Sequence, residues 1–234
     1  FHPSATNGFG LNKAGERVLL SHLTGTAQDR VADAAAYGAQ ENGKPLVRFP
    51  DGAASWLTGV PTPGASNRLS GADIRISEVA YHPRPTAANP ENNENDEFVE
   101  LYNPSGSAVT LMNTGEDAGV WRLKGGVEYA FPSNTVLAAG ARLAVVPFDP
   151  AADAAALSAF LAAYQLTNGQ ARLLGPYGGH LNNKTDTVRL VRPVNPDAAG
   201  DGVSWHDVDA VTYYDASPWP EGADGTGRPL TRLP

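Results

Sequence analysis

One stretch of this chain is written twice. Leu11-Asn12 followed by Glu16, Val18 and Leu20 returns as Leu181-Asn182 followed by Asp186, Val188 and Leu190, at an ungapped offset of 170. Ala32-Asp33-Ala34-Ala35-Ala36-Tyr37 returns as Val208-Asp209-Ala210-Val211-Thr212-Tyr213 at an offset of 176, and Lys44-Pro45-Leu46-Val47-Arg48 as Arg228-Pro229-Leu230-Thr231-Arg232 at 184. Matches in the same order, with an offset that grows only by short loop insertions, read as copies of one fold in tandem. The cluster Pro61-Thr62-Pro63-Gly64-Ala65-Ser66-Asn67 is a turn-rich boundary, and a new alternating segment starts at Asp73. The repeated part therefore stands at the end of the second copy and at the start of the first. Residues 1–69 read as the C-terminal half of a first domain, residues 71–234 as a second and nearly complete one, and both ends of the sequence as cuts through domains.

Composition narrows the class. Gly (25) and Pro (19) are abundant in a chain of 234 residues with only 18% charged side chains, which favours a turn-rich β protein, because both residues are costly inside helices. With no Cys, disulfide frameworks, thiol catalysis and Cys-ligated zinc are excluded. A formal net charge of −8 and no Lys/Arg cluster argue against a nucleic-acid partner. The apolar runs are Ala-rich and interrupted, shorter than the roughly 20 residues of a membrane span, so no membrane insertion is expected. The sequence opens on Phe1 with no basic or apolar leader, so any export signal is expected to have been removed or to lie upstream, and the absence of Cys is compatible with the extracellular or cell-surface location expected of the protein.

Short β-rich runs bounded by Gly, Pro, Asn or Asp follow one another: Ile74 to Tyr81, Glu97 to Tyr102, Ala108 to Met112, Val120 to Leu123, Ala141 to Val146, Thr187 to Val191 and Val208 to Tyr214. Their number and spacing predict a β-sandwich. One segment departs from this pattern. Asp149 and Pro150 form an N-cap and first-position pair, and Leu157, Phe160, Leu161 and Tyr164 follow at helical spacing, so a surface helix is expected there.

Taken as a set, ISEVAYHP (Ile76 to Pro83), DEFVELYNP (Asp96 to Pro104), VWRL (Val120 to Leu123), VDAVTYYD (Val208 to Asp215) and PWPEGADGTGRPL (Pro218 to Leu230) resemble the lamin tail domain in its bacterial branch. That branch typically opens on an I-x-E-V strand, continues E-F-[VI]-E-L-x-N and closes on a W-P-x-x-A-D-G-x-G turn. Residues 11–67 resemble its closing half. The Asn-rich stretch Asn89 to Glu97 and the helix after Asp149 are longer than the minimal module. The resemblance implies tandem immunoglobulin-like β-sandwiches with no catalytic machinery. Such modules are appended to secreted bacterial proteins, hydrolases among them, and in lamins the module mediates interactions.

Read by themselves, the chemistry-bearing residues give weak signals. None of the five His, at 2, 22, 82, 180 and 206, forms HExxH or an i,i+4 pair, and His206 reads as a turn residue near a strand start. No G-x-S-x-G elbow presents a Ser nucleophile. Glu97 and Glu100 stand three apart on a strand and so face opposite ways. Glu97 shares a face with Val99 and Leu101, Glu100 with Phe98 and Tyr102, so they cannot flank one glycosidic bond; a carboxylate that accepts from loop amides is the simpler reading. Calcium is the metal these loops suit: Asn92, Asn95, Asp96 and Glu97 in one, Asp197 and Asp201 in another, offer hard oxygens, although neither matches the D-x-D-x-D-G pattern and Asn/Asp-rich turns also arise for backbone reasons. Asp215 and Asp224 read as turn residues. Trp121 alternates like a core residue; Trp219, between two prolines, either stacks on a sugar or packs over the sandwich end.

Four functions follow as expectations. The first is a non-catalytic scaffolding or attachment module of a larger secreted bacterial protein, contacting other domains of the same polypeptide or neighbouring chains, with no cofactor required. The second is a calcium-assisted module for carbohydrate or the cell surface, using the Asn89 to Glu97 loop and Trp219. The third is a subunit of an extracellular assembly completed by strand exchange, and the fourth a fragment of a secreted hydrolase.

Overall fold

The computed structural model describes residues 10–53, 56–70, 74–194 and 202–232. The chain divides into two compact units. The described residues up to Ser70, with 115–118, 193–194 and 202–206, make the first, and the remainder make the second. The segment around Asp73 and the acidic pair Asp197 and Asp201 lie outside the described residues.

The first unit contains two antiparallel hairpins. β1 (Glu16–His22) pairs with β2 (Arg30–Tyr37), and β3 (Leu46–Arg48) with β4 (Trp56–Thr58). Asp29 closes the first turn: its Oδ1 accepts from the Thr24 hydroxyl and the N–H groups of Thr24 and Gly25. Few apolar side chains are covered here. Among the described residues of 10–70 the buried hydrophobic ones are Ala39 and Val47, while Leu19, Leu20, Leu23 and Val31 are each more than half exposed.

The second unit is an immunoglobulin-like sandwich. Its strands are β5 (Arg75–Ala80), β6 (Phe98–Tyr102), β7 (Val109–Thr110), β8 (Met112–Asn113), β9 (Gly119–Val120), β10 (Arg122–Gly125), β11 (Val127–Ala130), β12 (Val136–Leu137), β13 (Arg142–Val145), β14 (Leu173–Leu174), β15 (Gly178–Gly179), β16 (Thr185–Val194), β17 (Ser204–Tyr214) and β18 (Leu230–Thr231), with one helix, α1 (Ala154–Ala163); the end of β16 from Pro193 and the start of β17 through His206 belong to the first unit. One five-stranded sheet runs β15-β11-β10-β16-β17 and the other β14-β13-β6-β5-β18. Between them lies a core to which Leu123, Val127, Val188 and Leu190 contribute from one side, and Ile76, Val99, Leu101 and Leu143 from the other. The expected run Val120 to Leu123 is broken at the buried Trp121, whose Nε1–H donates to Asn113 Oδ1 at 2.9 Å.

Strand parity makes a second, smaller core. On β6 the odd positions Val99 and Leu101 point between the sheets, and the even position Phe98 points outward to meet Phe148 and Phe160 under α1. The helix begins later than the Asp149-Pro150 pair predicts. Asp153 is the cap, its Oδ1 accepting from Ala156 N–H at 2.9 Å, whereas Asp149 Oδ1 accepts from the N–H groups of Ala151 and Ala152 and so closes the preceding turn. Asp153→Ala is expected to lower stability by about 1 kcal/mol in urea titration. Asp149→Ala is expected to cost less, and the reverse order would return the cap to Asp149. No helix among the described residues is long and apolar enough to cross a membrane.

Candidate functional site

Glu97 stands immediately before β6 on the inward-facing parity of that strand, at one end of the core, and has 0% exposure. Its Oε2 accepts from the Tyr177 hydroxyl and from Leu181 N–H, both at 2.9 Å. Tyr177 and Leu181 flank β15, where the segment that leaves the sheet of β6 at β14 joins the other sheet before continuing into β16. One carboxylate oxygen thus fastens the crossing between sheets, the amide-capping role that sequence reasoning favours. Burial pushes the carboxyl up to about 8, against the two hydrogen bonds, which pull it down, and the charges of Glu94 and Asp186 add to the rise. Tyr177, next to this carboxyl and itself buried, is held far above the usual phenol range, burial being the larger cause.

The other loop residues turn to separate partners. Asp96 is buried; its Oδ2 accepts from Asn93 Nδ2 at 2.5 Å, and its backbone carbonyl accepts from the Tyr164 hydroxyl at 2.6 Å, which anchors the end of α1. Burial raises its carboxyl, opposed by the Asn93 hydrogen bond. Asn92 Nδ2 donates to Glu94 Oε1 at 3.1 Å, and Asn95 is exposed. Three buried side-chain oxygens on the segments that Glu97 joins have no hydrogen-bond partner: Asn92 Oδ1, Glu97 Oε1 and Asn183 Oδ1. Among the described residues no group of three or more His, Asp and Glu side chains is placed to hold a metal ion.

Glu100, on the opposite face from Glu97, accepts from Ser77 Oγ at 2.6 Å and Arg142 Nη1 at 2.5 Å. The closing turn is also clasped. His82 Nδ1 meets Asp224 Oδ1, Gly225 N–H donates to the His82 carbonyl at 2.9 Å, and Arg84 Nη2 donates to the Thr226 carbonyl at 2.8 Å. Gly225 and Gly227 have φ of +68° and +84°, with His82 and Arg84 side chains close behind them, so the two glycines of the A-D-G-x-G motif are required by backbone and space together.

Trp219 is half-buried, packs against the core, and stands 6.3 Å from the Tyr214 ring. It lines a 280 Å³ cavity with Ile76, Val79, Val211 and Leu230. His206 lies within β17 rather than in a turn; it is buried, and its Nδ1 pairs with the Ala39 carbonyl at 3.0 Å. Sequence reasoning passed over Tyr177 and Asn183, which sit in an irregular crossing with no periodicity. It also passed over Asn103, although that residue closes the E-F-V-E-L-x-N run.

The family model described as Lamin Tail Domain matches residues 67–215, from the turn before β5 to the end of β17. No curated protein and no solved structure was found to match the chain.

Proposed function

The chain belongs to the lamin tail domain family, and from that premise we propose that it works as a non-catalytic attachment and spacing module of a larger secreted bacterial protein. The family's fold is a non-catalytic, immunoglobulin-like one. One observation carries the reading: the polar residues of the family-like motifs are spent on holding the sandwich together. Glu97 ties the sheet crossing, Glu100 holds Ser77 and Arg142, and His82 and Arg84 clasp the closing turn. A catalytic group needs a face open to substrate. The module would act outside the cell through loops and strand edges, on other domains of its polypeptide or on neighbouring chains. The test is cross-linking and mass spectrometry of the native-length protein, with cross-links expected from this module to those partners. Turnover of an ester, phosphodiester or glycoside by the purified chain, abolished by replacing one of its carboxylates, sinks the proposal.

A second reading is calcium at the Asn92 to Glu97 loop, supporting contact with cell-surface glycans near Trp219. The partnerless buried oxygens of Asn92, Glu97 and Asn183 favour it, because hard oxygens are what Ca²⁺ takes. Calcium at a hundredfold excess over its dissociation constant is expected to stabilise the second unit by about 2.7 kcal/mol. Glu97→Gln is expected to erase that gain. A melting temperature unmoved by millimolar Ca²⁺ removes the reading.

A further inference from the structure

Residues 10–70 and 181–232 build the same local structure twice. Asn12 Oδ1 accepts from Ala14 N–H and Asn182 Oδ1 from Lys184 N–H, both at 2.8 Å. Arg17 stands opposite Ala36; at the matching positions the hydroxyls of Thr187 and Thr212 meet at 2.8 Å. Gln40 N–H donates to the Lys13 carbonyl and Asp215 N–H to the Lys184 carbonyl, both at 2.8 Å. Arg48 pairs with Asp33 and Arg232 with Asp209, both at 2.7 Å. These partners fall where the sequence repeat aligns them or within one residue of it.

The copies differ in what covers them. Leu181, Val188 and Leu190 are each 0% exposed, while their counterparts Leu11, Val18 and Leu20 are 58%, 39% and 65% exposed. Tyr213 is buried and stacked on Tyr81, with ring centroids 4.4 Å apart, whereas Tyr37 is only part-covered. Asp209 accepts the N–H of Ile76 on β5 at 2.8 Å, and its side chain is 17% exposed. Asp33 instead takes the N–H of its neighbour Ala34 at 2.8 Å, and its side chain is 50% exposed. A cleft of about 800 Å³ between the hairpins is lined by Leu11, Val18, Tyr37, Leu46, Val47 and Trp56. In the second unit the counterparts of the first four pack in or against the core.

Backbone parity says which edge is open. In an antiparallel pair, successive residues point their N–H and C=O groups alternately at the partner and away from it. Arg232 N–H donates to the Ser77 carbonyl at 2.8 Å, so Leu230 and Arg232 face β5. Gly59 N–H donates to the Pro45 carbonyl at 2.8 Å, so Pro45 and Val47 face β4, and Leu46 and Arg48 face the other edge. β4 therefore does not fill the place that β5 fills in the second unit. At the end of that edge the Arg48 carbonyl accepts from Asn67 Nδ2.

We infer that residues 10–70 are the second half of a lamin-tail sandwich, and that this apolar face and the outer edge of β3 receive the first half of that sandwich, supplied by the segment preceding it in the same polypeptide. The second unit gives the order: residues 74–174 supply the strands that cover Leu181, Val188 and Leu190, and they run directly ahead of them in the chain. The incoming half needs an apolar strand in the manner of β5, with one backbone N–H aimed at Asp33 and its edge hydrogen-bonded to Leu46 and Arg48. The proposal rests on the family membership and not on the attachment role, so it stands or falls separately.

Hydrogen exchange read by mass spectrometry, on the native-length protein and on the 234-residue chain, tests it. In the native-length protein, peptides covering 16–22, 30–37 and 46–48 are expected to be protected like 185–192 and 207–214. In the 234-residue chain they are expected to exchange at least about a hundredfold faster. Leu20→Glu is expected to remove that protection from the native-length protein and to leave exchange in the 234-residue chain unchanged. Asp33→Asn, a gentler change, is expected to lower it about tenfold. Equal exchange in the two proteins overturns the inference. So does a native-length protein that begins at Phe1, or protection that disappears when a co-purifying chain is removed, which would assign the face to a partner in trans.

Discussion

Exchange of Glu97 for Gln is expected to flatten the dependence of stability on pH between about 4.5 and about 8. The folded-state carboxyl is raised from 4.5 to about 8, chiefly by burial. The folded state therefore favours the protonated form. The stability this contributes is fully present below about 4.5, falls as pH rises, and is gone above about 8. The span is on the order of 5 kcal/mol, each pH unit between the two values being worth about 1.4 kcal/mol. Asp96 and Glu78 are raised by burial as well and tilt the profile the same way.

Glutamine keeps the oxygen that accepts from Tyr177 and Leu181 and carries no charge at any pH, so the variant loses the slope and not the tie. Its amide nitrogen replaces the partnerless Oε1, an unmet donor costing about 1–3 kcal/mol at every pH. The variant is expected to be the less stable protein at pH 5 and the equal or more stable one at pH 8. Urea midpoints at both values, in buffer containing a chelator, measure this. Superimposable profiles would show that Glu97 stays ionised in the fold.

Much of the second unit is legible in its sequence because alternation on β6 is a local signal. Period two separates Val99 and Leu101 from Phe98, and it places Glu97 and Glu100 on opposite faces, as the structure does. The Asp153 cap was harder to read. Two aspartates four residues apart both look like caps, and the Ala-rich run between Asp149 and Leu157 gives no periodicity to choose between them. The partners of Glu97 are not local: Tyr177 and Leu181 are 80 and 84 residues away, on a segment whose course depends on the finished sandwich. Exposure is less legible still. Leu20 and Leu190 stand in similar sequence, yet one is 65% exposed and the other 0%, because burial belongs to whatever sits opposite and not to the strand.

Loss of the Asn103 side chain is expected to cost more than any other polar substitution in the motifs. The residue is fully buried, and its Nδ2 faces three carbonyl oxygens, those of Ser107 at 2.8 Å, Leu137 at 2.8 Å and Ala138 at 3.0 Å. Its Oδ1 accepts from Ser105 N–H at 3.0 Å and from Ser105 Oγ at 2.7 Å. One amide therefore binds the end of β6, the turn after it and the end of β12, with both its donors and its acceptor engaged, which is why an acceptor-only or apolar side chain does not replace it. Asn103→Ala removes one donor from each of those carbonyls and the acceptor from Ser105; the Ser107 carbonyl keeps the Ser105 hydroxyl and the Ala138 carbonyl keeps the Ala141 N–H, so the cost is about 0.5–1.5 kcal/mol for each bond lost, or about 4 kcal/mol in all. Asn103→Asp has the same shape but turns an acceptor toward the same three oxygens. It is expected to be at least as damaging at pH 7, and to improve as pH falls through the carboxylate range and the acid regains a proton to donate. Thermal and urea unfolding at pH 4 and pH 7 separate the two variants. If both lie within about 1 kcal/mol of the parent, the Asn at the end of E-F-V-E-L-x-N is not held there by this network.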